Sequence, residues 1–241
     1  MRCILDLTPC EPAYGLAVDE ALLHPSPARA IPVFRAWINR RAVVFGRSQI
    51  GAEEADLEAC RSLGIPVLRR ISGGGAVVHH PGNLNLTLVV PGRDRLGAVL
   101  DTFEFLGGIV AAALTPLGVS IVSRGNALMT HDGRKLGGAA QARRHGVLWH
   151  TTLLLQADTI PMEALLRALR PDYHPSHVAS RPSPTTTLAE LLEEPVAPQW
   201  IASEVAAAFA VALHERHTPS ALTAEEAAWA FARAAAGEAP P

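Results

Sequence analysis

The chain has 241 residues, of which 49% are hydrophobic and 18% charged, and its formal net charge is −2. This composition is typical of a globular protein and excludes a disordered chain or one with a global basic field for nucleic acid. Three scattered cysteines (Cys3, Cys10 and Cys60) form no CxxC pair, which argues against a disulfide framework or a zinc knuckle. Without a visible signal peptide or an uncharged apolar run of 18 residues, we expect a cytoplasmic protein.

The first part of the chain alternates between short strands and helices. Apolar spacing and turn residues predict strands at 3–7, 33–38, 42–46 and 65–70, with helices starting near Pro12 and spanning 52–64. After residue 70 the sequence "ISGGGAVVHHPGNLNLTLVV" predicts a glycine turn, a short strand, a second turn, and a strand alternating Leu84, Leu86 and Leu88.

The second part begins with a long apolar helix at 97–118. A hairpin turn is predicted at His131-Asp132-Gly133, so that Lys135 starts the following strand. Helices are predicted at 161–169, 187–193, 198–215 and 223–236, with a long Pro/Ser/Thr loop at 174–187. Hairpins mixed irregularly with helices favour an α+β fold with mixed sheets over a Rossmann fold or a barrel.

The three consecutive glycines at 73–75 are the strongest local signal. Glycines after an apolar strand free the backbone for positive φ and let N–H groups approach a ligand. Arg70 precedes them, and His79 and Asn83 follow. Because neither a P-loop nor a dinucleotide-binding pattern is present, the segment predicts another kind of anion or ligand site; a flexible turn between strands is the alternative.

Lys135 is the only lysine in the chain; the other 20 of the 21 basic residues are arginine. It stands next to two glycines in "DGRKLGGAAQ". A compact ammonium on a flexible stem fits between two oxygens where a planar guanidinium is too wide. The residue pattern therefore favours a functional lysine over a surface one. The histidine pairs His174/His177 and His214/His217 have no carboxylate or cysteine partners, and we predict no metal site in the chain itself.

Together these segments resemble the lipoate–protein ligase A family, within the biotin/lipoate ligase and octanoyltransferase superfamily. "RRISGGGAVVHHPGNLNL" is similar to its RRxSGGGAVxH…GNLN signature, and "GRKLGGAAQARRHGVLWHTTLLL" to its GxK…GxAQ segment. "GLAVDEALL" and "VVFGRSQ" fit in order and spacing. The resemblance covers roughly residues 11–190.

The resemblance implies a catalytic domain over 1–236, with a larger mixed β-sheet and a smaller sheet wrapped by helices. It implies that ATP activates lipoate or octanoate to the acyl-AMP, with Mg²⁺ at the phosphates. The acyl group then passes to a lysine of a lipoyl domain of 2-oxoacid dehydrogenase complexes, or of the glycine-cleavage H protein. Lys135 would be the catalytic residue, between the acyl carbonyl and the α-phosphate.

Lipoate and adenylate binding would fall to the residues around the two glycine segments. By resemblance, these are Arg70, Ser72, Gly73, Gly74, Gly75, Ala76, His79, Asn83, Asn126, Gly138, Ala139, His150, Thr151 and Thr152. The loop at 174–187 corresponds to a segment that covers the adenylate.

The chain also departs from the family pattern. Ala127 replaces an acidic residue expected after Asn126, and Thr151 replaces a glycine at the pocket wall. We expect a frayed tail at 237–241 and no C-terminal accessory domain, so that a separate accessory subunit or a preformed adenylate would be needed. The alternatives are an octanoyltransferase of the same fold, disfavoured because residues 108–134 contain no cysteine, and a non-catalytic binding domain.

Overall fold

The computed structural model describes residues 1–24 and 31–237. The strands are β1 (Arg2–Cys10), β2 (Val33–Asn39), β3 (Ala42–Phe45), β4 (Val67–Arg69), β5 (Val77–His79), β6 (Asn83–Pro91), β7 (Ile121–Arg124), β8 (Ala127–Thr130), β9 (Lys135–Arg143), β10 (Gly146–Leu154) and β11 (Thr218–Pro219). The helices are α1 (Pro12–Leu23), α2 (Gly51–Glu54), α3 (Leu57–Ser62), α4 (Val99–Leu114), α5 (Met162–Leu165), α6 (Leu188–Leu192), α7 (Pro198–Ala212) and α8 (Ala224–Ala235).

The strands form an eight-stranded sheet in the order β11-β1-β2-β6-β10-β9-β8-β7 and a three-stranded sheet in the order β4-β3-β5. The larger sheet is mixed, since β1 pairs parallel with β2 and β11 whereas β6 pairs antiparallel with β2 and β10. The predicted α+β class, with one larger mixed sheet and one smaller sheet, is confirmed.

The two faces of the larger sheet differ in composition: one is apolar and the other carries polar side chains. Alternating side chains such as Phe34, Leu86 and Trp149 enter the main core, together with helices α4 and α7. Because neighbouring residues on a strand point to opposite faces, Trp37, Asn85 and Thr152 lie on the other face. That second face carries the polar residues of the candidate site.

Helix α4 runs into a 3₁₀ turn at Thr115–Leu117, and together they form the apolar stretch Val99–Leu117. Among the described residues, this stretch alone is long and apolar enough to cross a membrane; its mean hydropathy is 1.4. Core helices of globular proteins pass the same test. Here Leu106, Val110 and Leu114 are fully buried in the main core, which accounts for the apolar face.

Two predicted helices are interrupted at the same place. The helix expected at 52–64 splits into α2 and α3, because Ala55 is extended and bridges to Leu166. Asp56 then caps α3 by accepting a hydrogen bond from the Ala59 amide at 2.9 Å. The bridge also ends α5, so the helix expected at 161–169 is one short turn followed by a 3₁₀ turn.

Several other predicted boundaries move by a few residues. The long helix expected at 97–118 ends at Leu114, since the following Pro116 cannot continue an α-helix and Gly118 takes a positive φ of 86°. The strand expected at 65–70 is confined to β4. The predicted hairpin turn before Lys135 is confirmed, and β9 begins at that residue. Of the tail expected to fray, residues 238–241 lie outside the described residues.

Candidate active site

A cavity of about 600 Å³ lies over the polar face of the larger sheet. This volume falls within the range of small-molecule sites. Thirteen of the predicted site residues line it: Arg70, Gly74, Gly75, Ala76, His79, Asn83, Asn126, Lys135, Gly138, Ala139, His150, Thr151 and Thr152. The fold therefore brings the two glycine segments together around one space, although they are some 60 residues apart in the sequence.

Ser72 and Gly73, also predicted as binding residues, do not line this cavity. Ser72 is only 1% exposed and lies behind the glycine loop, where its hydroxyl is hydrogen-bonded to Arg70 and His150. Gly73 contributes a backbone carbonyl that accepts a hydrogen bond from Arg70 at 2.6 Å. Both residues thus contact groups that form the wall.

Arg70 holds the glycine loop in shape. Its Nη2 donates to the carbonyls of Gly73 and Gly75, its Nη1 to the carbonyl of Val44, and its Nε to Ser72 Oγ. Gly74 has a φ of 88°, a conformation that glycine adopts without strain. Burial lowers the pKa of Arg70 to about 10, so the guanidinium remains charged at neutral pH.

Lys135 is held differently. Its backbone N–H donates to Pro184 and its carbonyl accepts from Thr186, which fixes the start of β9 against the 174–187 loop. Its ammonium lies over Gly138, where a Cβ would be 2.9 Å from Nζ. Burial, reinforced by the charge of Arg70, lowers the pKa of Lys135. Within residues 1–24 and 31–237, no hydrogen bond or ion pair occupies this ammonium.

A chain of hydrogen bonds crosses the sheet wall of the cavity. Burial and the charge of Arg70 lower the pKa of His79 to about 3, so its ring is neutral. Asn39 Nδ2 lies 2.9 Å from His79 Nδ1, and His79 Nε2 lies 3.5 Å from Thr152 Oγ1. The Thr152 hydroxyl donates to Asn85 Oδ1 at 2.9 Å. In a neutral ring the Asn39 amide donates to Nδ1, which leaves the proton on Nε2 facing Thr152.

The 174–187 loop is tied to the rest of the site through the buried carboxylate of Glu54. Tyr173 and Ser180 donate their hydroxyls to its two oxygens at 2.6 and 2.5 Å. Ser180 Oγ also accepts from the backbone amide of Ala76 at 2.7 Å, at the end of the glycine loop. The loop, the glycine segment and α2 therefore share one polar contact.

Among the described residues, the side chains that line the cavity include cations but no carboxylate. Arg70, Lys135 and Arg181 are among the lining residues, whereas neither Asp nor Glu is. Ala127, where an acidic residue was expected from the resemblance, begins β8 beside this wall. No cluster of three potential metal ligands occurs in the described part of the chain. The lining residues fit an anionic ligand; they do not supply the carboxylates that usually help to hold Mg²⁺.

Sequence reasoning missed the apolar part of the lining. Leu16 and Trp37 come from α1 and β2, and Met162, Leu166 and Leu169 come from the segment after β10. Their apolar character looked like that of ordinary core residues, and only the tertiary fold places them around one cavity. Arg181 and Ser180, in the predicted covering loop, also line it.

These features define an α+β fold with a cavity that is lined by cationic side chains and by residues of two glycine segments. The family model for the lipoyl protein ligase A/B catalytic domain matches residues 11–210. The chain therefore belongs to the lipoyl protein ligase A/B catalytic domain family.

Similarity to individual proteins points the same way. A protein of Aeropyrum pernix that carries the name lipoate-protein ligase A is 36% identical over 64% of this chain and 58% of its own length. Lipoate-protein ligase A subunit 1 of Thermoplasma acidophilum is 30% identical over 69% and 67% of the two chains. The octanoyltransferase LipM of Symbiobacterium thermophilum is 32% identical over 88% and 86%. The chain thus spans less than two thirds of the length of the Aeropyrum relative.

Among solved structures, one described as a lipoate protein ligase from T. acidophilum with bound lipoic acid superposes with a TM-score of 0.79. It is 26% identical, and the match covers 96% of this chain and 93% of that one. The likeness agrees with the eight- and three-stranded sheets described above.

Proposed function

We propose that this chain activates lipoate, or octanoate, with ATP and transfers the acyl group to a lysine of an acceptor protein. The observation that carries the proposal is the Lys135 ammonium, which faces a cavity without carboxylates and has no partner among the described residues. A cation held out of water in this way is suited to an anionic ligand. The bound lipoic acid of the T. acidophilum relative supports the acyl substrate.

Two bond exchanges make up the reaction. In the first, a carboxylate oxygen of the acid bonds to the α-phosphorus of ATP and pyrophosphate leaves. In the second, the acceptor amine bonds to the acyl carbon, AMP leaves with the bonding electrons, and the amine loses a proton. Negative charge builds up on phosphoryl and acyl oxygens in both steps, and Lys135 stabilises it by electrostatic attraction. No step is assigned to a metal, since the lining supplies no carboxylate to hold one.

The octanoyltransferase alternative has support from the 32% identity to LipM. The positions of the cysteines argue against a transferase that holds the acyl group as a cysteine thioester. None of the three cysteines lines the cavity. Burial raises the pKa of all three thiols, that of Cys10 to about 11, so little reactive thiolate is present at neutral pH. The ligase reaction, which needs no enzyme nucleophile, therefore fits these residues better.

The acceptor and any accessory protein belong to the same proposal. We infer that the acceptor is a lipoyl domain of a 2-oxoacid dehydrogenase complex or the glycine-cleavage H protein. The name of the T. acidophilum relative, subunit 1, supports an accessory subunit as a partner in the activation step. In that case the chain by itself transfers the acyl group from a preformed adenylate.

The test is to incubate the purified chain with lipoate, Mg-ATP and an apo lipoyl domain, and to follow pyrophosphate release and the acceptor mass. A ligase releases pyrophosphate and adds one lipoyl group to the acceptor. Transfer from lipoyl-AMP without ATP turnover identifies a chain that depends on an accessory subunit. Transfer from an octanoyl carrier protein, with no reaction from ATP or lipoyl-AMP, contradicts the ligase proposal.

A further inference from the structure

Four polar side chains connect helix α1 to the glycine loop, and two of them, Arg70 and His150, line the cavity. His150 Nδ1 lies 3.2 Å from Asp19 Oδ2, and His150 Nε2 lies 2.7 Å from Ser72 Oγ. Arg70 Nε donates to Ser72 Oγ at 3.0 Å. Asp19, Ser72 and Arg70 are each at least nine-tenths buried. The series Asp19–His150–Ser72–Arg70 is thus continuous from one element to the other.

The carboxylate at one end gives this series a direction. The Arg35 guanidinium donates to Asp19 Oδ1 at 2.9 Å, and the Thr87 hydroxyl donates to Oδ2 at the same distance. Burial favours the neutral carboxyl, but hydrogen bonding by His150 and the charge of Arg35 outweigh it and lower the pKa of Asp19. An ionised carboxylate can only accept, so His150 donates from Nδ1.

The rest of the direction follows from the imidazole. In a neutral ring that is protonated at Nδ1, Nε2 can only accept, and it takes the Ser72 hydroxyl proton. The Ser72 oxygen then has a lone pair directed at Arg70 Nε. Asp19 does not contact Arg70, but through His150 it orients the Ser72 hydroxyl so that the Ser72 oxygen accepts from Arg70.

Asp19, His150 and Ser72 resemble a nucleophilic triad in their distances, but their placement differs from one. Ser72 is 1% exposed and does not line the cavity, whereas His150 does. A nucleophile must reach the reacting carbon. The Ser72 oxygen instead accepts a hydrogen bond from Arg70, so Ser72 has a structural role in the cavity wall.

We propose that Asp19 is a positioning residue that acts through His150 and Ser72 to hold Arg70, and with it the carbonyls of Gly73 and Gly75, in the geometry that receives the acyl adenylate. The proposal rests on the proposed function for the identity of the ligand. Exchanging the Asp19 carboxylate for an amide removes the fixed direction, because an amide donates as well as accepts. The contact at position 19 then no longer favours the tautomer of His150 that carries its proton on Nδ1.

The test is a double-mutant cycle with Asp19→Asn and Ser72→Ala, which breaks the series at two separate points. The ligand is a non-hydrolysable acyl-sulfamate analogue of lipoyl-AMP, and calorimetry gives its Kd. Each single change is expected to weaken binding about tenfold, as the loss of one hydrogen bond to a charged group does. Because both changes break one series, the double variant is expected to be about tenfold weaker as well, not a hundredfold.

Asp6→Asn is the matched control. Asp6 also contacts Arg35, at 3.4 Å, but in the described part of the chain it makes no hydrogen bond to His150, Ser72 or Arg70, and Asp6→Asn is expected to leave the Kd unchanged. Additive effects of Asp19→Asn and Ser72→Ala would show that the two residues act independently and would overturn the proposal. Failure of the wild-type chain to bind the analogue would count instead against the proposed function.

A second measurement does not depend on the folding of Asp19→Asn, which removes the main partner of buried Arg35. Nitrogen NMR of the labelled wild-type chain reports which ring nitrogen of His150 is protonated. We expect a proton on Nδ1, retained in Ser72→Ala because Asp19 still accepts it. A neutral ring protonated at Nε2 in the wild-type chain would contradict the direction of the series and overturn the proposal.

Discussion

Arg70 and Lys135 face the same cavity, yet their surroundings differ. The Arg70 guanidinium is hydrogen-bonded to three backbone carbonyls and one hydroxyl. The Lys135 ammonium lies beside Gly138 with no partner among the described residues. The Arg70 guanidinium therefore stabilises the loop, whereas the Lys135 ammonium remains available to a ligand.

The difference gives a physical meaning to the single lysine in the sequence. A guanidinium with several planar donors suits Arg70, where several oxygens converge from the loop. An ammonium is compact, and beside Gly138 it occupies a space that a Cβ would partly fill. The comparison predicts that changes at Lys135 affect catalysis, whereas changes at Arg70 affect both stability and catalysis.

Lys135→Arg should give the largest effect. The charge is kept, but the guanidinium is too wide for the space over Gly138, so we expect activity to fall about 10²- to 10³-fold, as for the loss of an oxyanion-stabilising donor. Thermal unfolding should be unchanged because the Lys135 ammonium makes no hydrogen bond or ion pair with any described residue. The kcat of acyl transfer and the Tm, measured together, check this expectation.

Arg134→Lys is the control for that substitution. Arg134 precedes Lys135 and contacts Asp132 and Thr186 near the surface, where such pairs contribute little. Its replacement should leave kcat near the wild-type value. Wild-type activity in Lys135→Arg would mean that the ammonium has no special role.

Arg70→Lys tests the other side of the comparison. A lysine cannot reach all four acceptors, so carbonyls of the loop lose their donors. We expect a loss of about 1–3 kcal/mol in the free energy of unfolding. Activity should fall about 10- to 100-fold because the loop geometry relaxes. Urea unfolding and steady-state kinetics on the same samples separate the two effects; unchanged stability would contradict the structural role.

Gly138→Ala should have a smaller effect that is confined to Lys135. The new Cβ would lie 2.9 Å from Nζ and 3.0 Å from Cε, so the ammonium must shift by some tenths of an ångström. We expect about a tenfold loss of kcat, since small displacements of catalytic groups are costly. Gly108→Ala is the control: Gly108 lies in α4, where no described atom beyond the adjoining helix backbone comes within 4 Å of the new Cβ, so the change should be neutral or slightly stabilising.

How far the sequence predicts this site depends on the kind of residue. The run of three glycines and the single lysine stand out in the sequence by residue type alone, and Gly74, Gly75 and Lys135 line the cavity. The hairpin before Lys135 was also predictable, because His131-Asp132-Gly133 is a local signal and Gly133 adopts a φ of 88°. Local chemistry decides these features, so local reasoning finds them.

Features that depend on distant contacts were not predictable. The sequence around residue 55 gives no signal for the β-bridge between Ala55 and Leu166, which splits the helix expected at 52–64. Asp19 likewise reads as one more polar residue on α1, and only the fold places it against His150. Trp37 is a buried residue of β2, and only the fold makes it part of the cavity lining as well.

The pH dependence of catalysis provides the finest test of the comparison between the two cations. Burial and the neighbouring Arg70 charge place the pKa of Lys135 below its ordinary value of 10.5. Since the reaction needs the charged form, kcat/KM should fall as pH rises through this lowered pKa in the free enzyme. A bound anionic adenylate favours the ammonium, so the decline in kcat should come at higher pH than that in kcat/KM. In Lys135→Arg, whose guanidinium stays charged, the alkaline decline of the residual activity should disappear; its persistence would assign the titration to another group.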